Sequence, residues 1–546
     1  MKRSFVPDMT QPSDPPTATL AEVAPALERT AAHYDEVPYQ SHPFPLTQPP
    51  RLAAIAMLFG LTPPPVPTAR ILEIGCAAGG NIIPLAVRFP ESTCLGIDLS
   101  GVQIEQAARR AHTLGLRNLE LRRQSVTHIG AGDGPFDYII CHGVYSWVPE
   151  GVREVILRVC AERLSDNGIA IVSYNVLPGW HMKMAVRDSM IAHAAHIPDP
   201  TQKIAQARWF IDFLKERVSK DTPYGNALRT EAEFLANLRD DYVLHEFLED
   251  ENSPCTVTQF VRAAERAGLG YLGETELHTM IAETYGEETA LSLRQLSENR
   301  LLPLEQYIDI LTGRTFRQSI LVKAATAGRA QRALNPQRLA PLHVACRFTP
   351  DPEPGKDGTR VFRDGAGRTL TTASTGVGVA LELLAGRYPG TATPADLIAT
   401  AGRWAASPAT QESAVTDALY KMMNAGMLDF YTEPVPVGAA SAARPVAIAL
   451  ARVDAALGVT STANLRHEPV SLDAGGRLLV PLLDGTRDRE ALCEGLLQAM
   501  AGSGTQLMRD GQPITRYDDR RSAALELIEA MLKSLEAGAL LQPEGA

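Results

Sequence analysis

Short apolar runs alternate with amphipathic stretches between Arg70 and Asn175, which predicts βαβ units on a parallel sheet. The expected strands are RILEIG (70–75), TCLGID (93–98), NLELRR (118–123), FDYIICH (136–142) and GIAIVSYN (168–175). Helices fit between them at Gly80–Arg88, Gly101–Leu114 and Val152–Leu164, the last closed by a Ser-Asp-Asn-Gly turn ending at Gly168. Upstream, Arg51 to Leu61 predicts a short helix stopped by Gly60 and the prolines that follow. Residues 1–30, rich in Pro, Thr and Ala, predict a flexible leader, so that the first folded domain spans 31–180.

Beyond Trp180 the alternation gives way to helices. Ile204, Ala207, Ile211, Leu214 and Val218 recur at helical spacing, and Trp209 and Phe213 widen that stripe. Such a face packs either within the chain or against a second subunit. The α/β pattern then resumes with a helix and a strand in 257–277, divided by Gly268, and a strand in RQSILVKA (317–324). Residues 251–330 are therefore expected to complete the sheet, with 181–250 as a helical insertion into it. TPDPEPGKDGT (349–359) and EPVPVGAASAARP (433–445) have linker composition and bracket two units, 340–432 and 446–546. The units are weakly alike: ALELLAG (380–386) echoes LVPLLDG (479–485), and MNAGML (423–428) echoes LEAGAL (535–540). Small helical units of winged-helix type fit both. The fold class expected is thus α/β, a Rossmann-like sheet with a helical insertion and two small carboxy-terminal units.

Charge narrows the partners. With 52 basic and 63 acidic side chains the formal charge is −11, which steers the chain toward neither nucleic acid nor anionic lipid. Residues 441–546 carry 11 basic and 14 acidic side chains, so a winged helix there is expected to pack or bind a partner rather than read DNA. No uncharged apolar run is long enough to span a bilayer, and the start has no apolar region of a secretory signal. Seven cysteines without a CxxC argue against a disulfide framework or a zinc cage, and no His/Asp/Glu group has metal-ligand spacing. The expected compartment is the cytoplasm.

The chemistry concentrates in Glu73-Ile74-Gly75-Cys76-Ala77-Ala78-Gly79-Gly80-Asn81, between the first expected strand and its helix. Small residues there let backbone approach a ligand, although they equally serve tight helix–sheet packing. Asp98 ends the next strand, where an acid accepts hydrogen bonds from ribose hydroxyls. The turn lacks a Walker lysine and the full dinucleotide glycine pattern, which disfavours ATP and NAD. Glu73 would repel pyrophosphate but suits a cationic aminoacyl sulfonium, so S-adenosylmethionine is the expected cofactor.

EIGCAAGGN (73–81) with GIDLS (96–100) resembles the cofactor signature of class I methyltransferases. The surrounding segments 34–61, CHGVYSWVPEGVRE (141–154) and SYNVLPGW (173–180) resemble bacterial methyltransferases with a methyltransferase regulatory domain. Here that domain would cover roughly 220–325. The best-understood members are protein-lysine methyltransferases acting on outer-membrane proteins. The resemblance implies that Gly75, Cys76, Ala77, Gly79 and Asn81 run along the methionine and ribose. It also implies that Asp98 holds the ribose, Leu99 meets the adenine, and Ser125 and Val126 lie at the adenine edge. Where many members have an Asp for the adenine amino group, this chain has Gln124-Ser125.

His142 ends the fourth strand and is either a cofactor contact or a hydrogen-bonded strand-end residue. Tyr39, Ser41 and Phe44 suit a lid over the methionine end, Phe44 equally a packing residue. Tyr145 and Trp147 are the candidate catalytic residues, walling with Tyr174 an apolar channel that favours a neutral amine. His181 is a pocket residue or simply begins a helix. The expected activity is methyl transfer to lysine side chains of a protein by a homodimer. A small-molecule methyltransferase and a non-catalytic cofactor-binding protein remain the alternatives.

Overall fold

The structure, a computed structural model, describes residues 20–353, 355, 358–403, 408–509 and 512–543. Residues 1–19 of the expected leader lie outside the described residues. Residues 20–30 correct that expectation, since they belong to helix α1 (Leu20–Glu36). The helix docks because Leu27 packs against the core beneath the sheet and Tyr34 stacks on His245 at 4.3 Å. Asp35 adds a carboxylate that accepts from the Ser100 hydroxyl at 2.6 Å.

Helix α2 (Pro49–Leu58) precedes a doubly wound unit of β1 (Arg70–Ile74), α3 (Ile82–Arg88), β2 (Thr93–Asp98) and α4 (Gly101–Thr113). The unit continues through β3 (Leu119–Arg123), β4 (Phe136–Cys141), α5 (Glu150–Arg163) and β5 (Leu164–Asn175). Alternate positions feed opposite cores, as the pleat requires: Ile71, Ile140 and Ile171 face one cluster, Leu72, Ile139 and Val172 the other. The turn expected before the fifth strand is absent. Leu164 passes straight from α5 into β5, and a register shift between Phe136 and Tyr138 of β4 absorbs the added residues.

Helices α6 (Trp180–Ala194), α7 (Pro200–Arg217), α8 (Pro223–Ala236) and α9 (Asp240–Phe247) then form a bundle with its own core, including Met190, Ile211, Leu228 and Phe247. Within the expected stripe, Ile204, Ala207 and Ile211 are buried, while Trp209 is 53% exposed and stacks on Phe213. Helix α10 (Val257–Arg266) ends at Gly268, whose φ of +92° turns the chain into β6 (Leu269–Glu274). Helices α11 (Glu287–Leu296) and α12 (Leu301–Thr312) lead to β7 (Phe316–Lys323).

The seven strands run in the order β3-β2-β1-β4-β5-β7-β6, with β7 antiparallel to both neighbours. The last two strands therefore complete the sheet, and 181–250 interrupts it. Arg317 of β7 is fully buried and pairs with Glu274, Glu305 and Asp309 at 2.7–2.9 Å, which pins α12 to the closing hairpin.

The first carboxy-terminal unit has a three-stranded sheet and helices Thr375–Arg387, Pro394–Gly402 and Pro408–Asn424. The second has helices Ala449–Ala456, Ala474–Leu479, Arg489–Ser503 and Tyr517–Ala537. The 423–428 and 535–540 echoes occupy like places, each leading from a last long helix into a short strand. ALELLAG and LVPLLDG do not, the former lying within a helix and the latter closing one with a turn. The second unit shares a core with Ile83 and Ala107 of α3 and α4, and Arg110 donates twice to buried Asp454 at 2.6 and 2.5 Å. No helix among the described residues is long and apolar enough to cross a membrane.

Candidate functional site

The carboxyl ends of the central strands open into a cavity of 510 Å³, where a doubly wound sheet gathers its ligands. After β1 the chain bends through Gly75 at φ +76°, and a Cβ there would lie 2.4 Å from Val144, so conformation and space both demand glycine. Ala77 also has positive φ, and Asp98 holds it by accepting its N–H at 2.8 Å. Asp98 accepts the Ser100 N–H as well, at 2.9 Å. A carboxylate has about four lone-pair sites, which leaves two for a diol in the cavity. Burial raises the Asp98 carboxyl above its ordinary range, while these backbone donors pull it back.

Glu73 is the second acid. Its Oε1 accepts the Asn81 amide at 2.8 Å, whereas Oε2 is sealed from solvent with no partner, and burial pushes the carboxyl up to about 8. Asn81 is itself held from two sides, its Oδ1 accepting the Phe44 N–H at 2.8 Å and the His467 ring at 2.7 Å. Because the Asn81 amide nitrogen donates to Glu73, its oxygen must accept, and this assigns the proton of His467 to Nε2. Segment 39–44 straps the turn, with the Ser41 hydroxyl accepting the Gly80 N–H at 2.7 Å and Tyr39 edge-on to His245.

Tyr39, Ser41, Phe44, Glu73, Gly75, Cys76, Ala77, Asn81, Asp98, Leu99, Ser125, Val126 and His142 all line this one cavity, as does Gln124. His142 stands against Phe44 with ring centroids 4.0 Å apart, and burial lowers its imidazole to about 4, so it is neutral. Gly79 does not line the cavity; its φ of +74° serves the turn into α3 against Ile83.

The expected aromatic channel needs correction. Trp147 lines the cavity, perpendicular to Trp180 at 6.4 Å. Tyr145 instead packs into the core against Phe260 at 5.3 Å, and Tyr174 stacks on that ring at 4.0 Å. The single 3₁₀ turn Tyr145–Trp147 is the reason: about three residues per turn sends positions two apart to different sides. His181 is exposed, and its neighbour Trp180 takes the pocket position.

Sequence reasoning missed the insertion's share of the site. Lys183, Tyr242 and Glu246 line the cavity's far end, and Tyr242 and Glu246 lie one helical turn apart on α9. With the other described residues the Glu246 carboxylate forms no hydrogen bond or ion pair. Burial pushes it up to about 7 against the pull of Lys183 and Arg187. The YVLHEF segment carries only the pattern of an ordinary amphipathic helix, and nothing local singles out His467.

The site thus has an acid with two free acceptor positions, a second acid with an unpaired oxygen, and apolar Leu99 and Val126 nearby. These fit a nucleoside bearing a cationic amino-acid tail.

Comparison with known proteins agrees with this geometry. Residues 71–168 match the model of a methyltransferase domain, 239–323 that of a predicted methyltransferase regulatory domain, and 443–540 that of the PKMT C-terminal winged helix domain. The uncharacterized protein RP789 of Rickettsia prowazekii is 32% identical over 522 residues, covering 93% of each chain. A second uncharacterized protein of that organism, RP028, is 42% identical over 234 residues, covering 43% of this chain and 94% of its own. The structure of PKMT2 from Rickettsia typhi in complex with AdoHcy aligns with a TM-score of 0.82 at 28% identity, over 92% of this chain and 100% of that one.

Proposed function

The chain belongs to the class I S-adenosylmethionine-dependent methyltransferases that carry a regulatory domain and a PKMT winged helix, and on that premise we propose that it methylates lysine side chains of a protein. The observation that carries this reading is one cavity with two chemically different ends. The cofactor, when bound, supplies an electrophilic methyl on a sulfonium. At that end Asp98 would hold the ribose hydroxyls and Glu73 the amino-acid ammonium, with Leu99 and Val126 beside the adenine.

At the other end Trp147, Trp180, Tyr242 and Glu246 suit an alkyl ammonium, the rings facing its stem and charge and the carboxylate its N–H groups. A lysine is nearly all protonated at neutral pH and cannot attack until it loses a proton. Glu246 takes that proton, so that an N–H bond breaks and an O–H bond forms. The freed lone pair then forms the N–C bond while the S–C pair returns to sulfur. Trp147 and Trp180 keep bulk water from the amine during transfer.

The proposed acceptor is a bacterial outer-membrane protein met in the cytoplasm, and the proposed assembly is a homodimer through the insertion. Its seven cysteines, all unpaired, accord with that compartment. Methyl-labelled cofactor, offered separately with a cell-envelope protein fraction and a metabolite extract, tests the reading. Label should enter protein, and label confined to the extract would make this a small-molecule enzyme.

A further inference from the structure

His467 belongs to the second carboxy-terminal unit, yet its ring reaches Asn81, which lines the cavity, from behind the cofactor turn. It is 3% exposed and donates to Asn81 Oδ1 at 2.7 Å across a sequence separation of 386 residues. Its backbone is left-handed at φ +64°, uncommon for any residue but glycine, although histidine, like Asn and Asp, adopts it more readily than most. Its surroundings are built in detail. Asn464 Oδ1 accepts the backbone N–H groups of both Arg466 and Glu468 at 2.9 Å, clamping the turn around His467. The buried Arg466 guanidinium pairs with Asp429 of the first carboxy-terminal unit and with Glu468. The Arg466 carbonyl accepts from Gln48 of the methyltransferase domain at 3.1 Å. One corner therefore ties three parts of the chain together and points a single donor at the cofactor turn.

We propose that His467 is a positioning residue of the methyl-transfer site, through which the docked carboxy-terminal winged helix braces the cofactor turn at Asn81. Asn81 offers its amide N–H to Glu73 while its oxygen is held from the other side by the Phe44 N–H and the His467 ring, with the Thr47 hydroxyl farther off at 3.4 Å. Glu73, which lines the cavity, is in turn held where its carboxylate would meet the cofactor ammonium. Burial and the nearby Arg88 charge lower the His467 imidazole to about 3, so the ring remains a neutral donor at every pH the protein meets. The contact is a fixed strut rather than a proton switch. Linkage then makes the effect reciprocal: the winged helix tightens cofactor binding, and bound cofactor tightens winged-helix docking.

The test uses the full chain and three variants, with S-adenosylhomocysteine affinity read by calorimetry alongside kcat and the cofactor KM. His467→Asn tolerates the left-handed backbone but is too short to reach Asn81, while His467→Gln places an N–H near the original nitrogen. His467→Ala and His467→Asn should weaken binding by about three- to tenfold, the range of a neutral hydrogen bond, with kcat at saturating cofactor held within about twofold. His467→Gln should recover most of the loss, and the homologue should slow proteolysis of the 433–445 linker in the unmodified protein but less in His467→Asn. Unchanged affinity in His467→Asn would overturn the proposal. So would a folded His467→Gln variant as weak as His467→Ala at equal melting temperature, since the ring's shape would then matter rather than its donor. The proposal rests on the cofactor assignment, and failure of the unmodified protein to bind the homologue would strike that assignment first.

Discussion

Asp98→Ala probes the cofactor end most sharply, because the demands on that carboxylate can be counted. Two of its acceptor positions hold the Ala77 and Ser100 N–H groups, at 2.8 and 2.9 Å, and two are left for the ribose diol. A hydrogen bond to a charged acceptor is worth about 1.5–3 kcal/mol. At about 1.4 kcal/mol per tenfold, losing one such bond weakens binding by roughly 10- to 100-fold, and losing both takes it beyond about 100-fold. The same substitution orphans two backbone donors, which costs about 1–3 kcal/mol each where they stay out of water. A lower melting temperature should therefore accompany the loss. Asp98→Asn keeps one acceptor oxygen and should fall between, near a tenfold loss. Calorimetric titration with S-adenosylhomocysteine measures the affinities, and thermal unfolding without ligand separates them from stability. A folded Asp98→Ala protein with undiminished affinity would refute the reasoning.

Three further outcomes follow from the same geometry. With its carboxyl raised to about 8, Glu73 is protonated at neutral pH before the cofactor binds, and the cofactor's ammonium favours the ionised form. Binding should therefore release a proton and tighten as pH rises between about 6 and 8, and titrations in buffers of different ionisation enthalpy should show Glu73→Gln losing that release. Glu246 must be ionised to accept a proton, so kcat should rise with pH through about 7, a limb tuned by Lys183, Arg187 and Glu231 and felt by Tyr39 and Tyr242. Glu246→Gln should lower kcat by about 10²- to 10⁴-fold and abolish that limb, and a rate profile unchanged in this variant would remove the carboxylate from the mechanism. Exposed Trp209, with half-buried Phe213 stacked beside it, should lie in the dimer contact, so Trp209→Asp should give a monomer by light scattering, whereas a surviving dimer would place the contact elsewhere.

Legibility in the sequence followed the range of the physical signal. The parallel strands showed as short apolar runs, buried on both faces and bounded by turns, and β6 and β7 kept that pattern despite the 181–250 interruption. The cofactor turn was equally open, because a Gly/Ala turn after one strand and an acid at the end of the next are residue types at fixed places in a βαβ unit, although the contacts that hold them, Gly75 against Val144 and Asp98 with Ala77, cross the fold. Tyr145 was misplaced because nearness to a strand end does not say which side of a 3₁₀ turn a ring takes. Helix α1 was hidden by a Pro- and Thr-rich start, its docking depending on partners such as His245. Glu246 and His467 act through juxtapositions across the fold, and no local pattern marks either of them.

Lysine acceptance is the centre of the account, and blocking lysines tests it most directly. An envelope protein fraction is divided, one half is exhaustively acetylated at its lysines, which turns each amine into a non-nucleophilic amide, and both halves are incubated with enzyme and methyl-labelled cofactor. The account predicts label in the untreated half, mapped to lysine by peptide mass spectrometry, and none above background in the blocked half. Equal labelling of the two halves would contradict it.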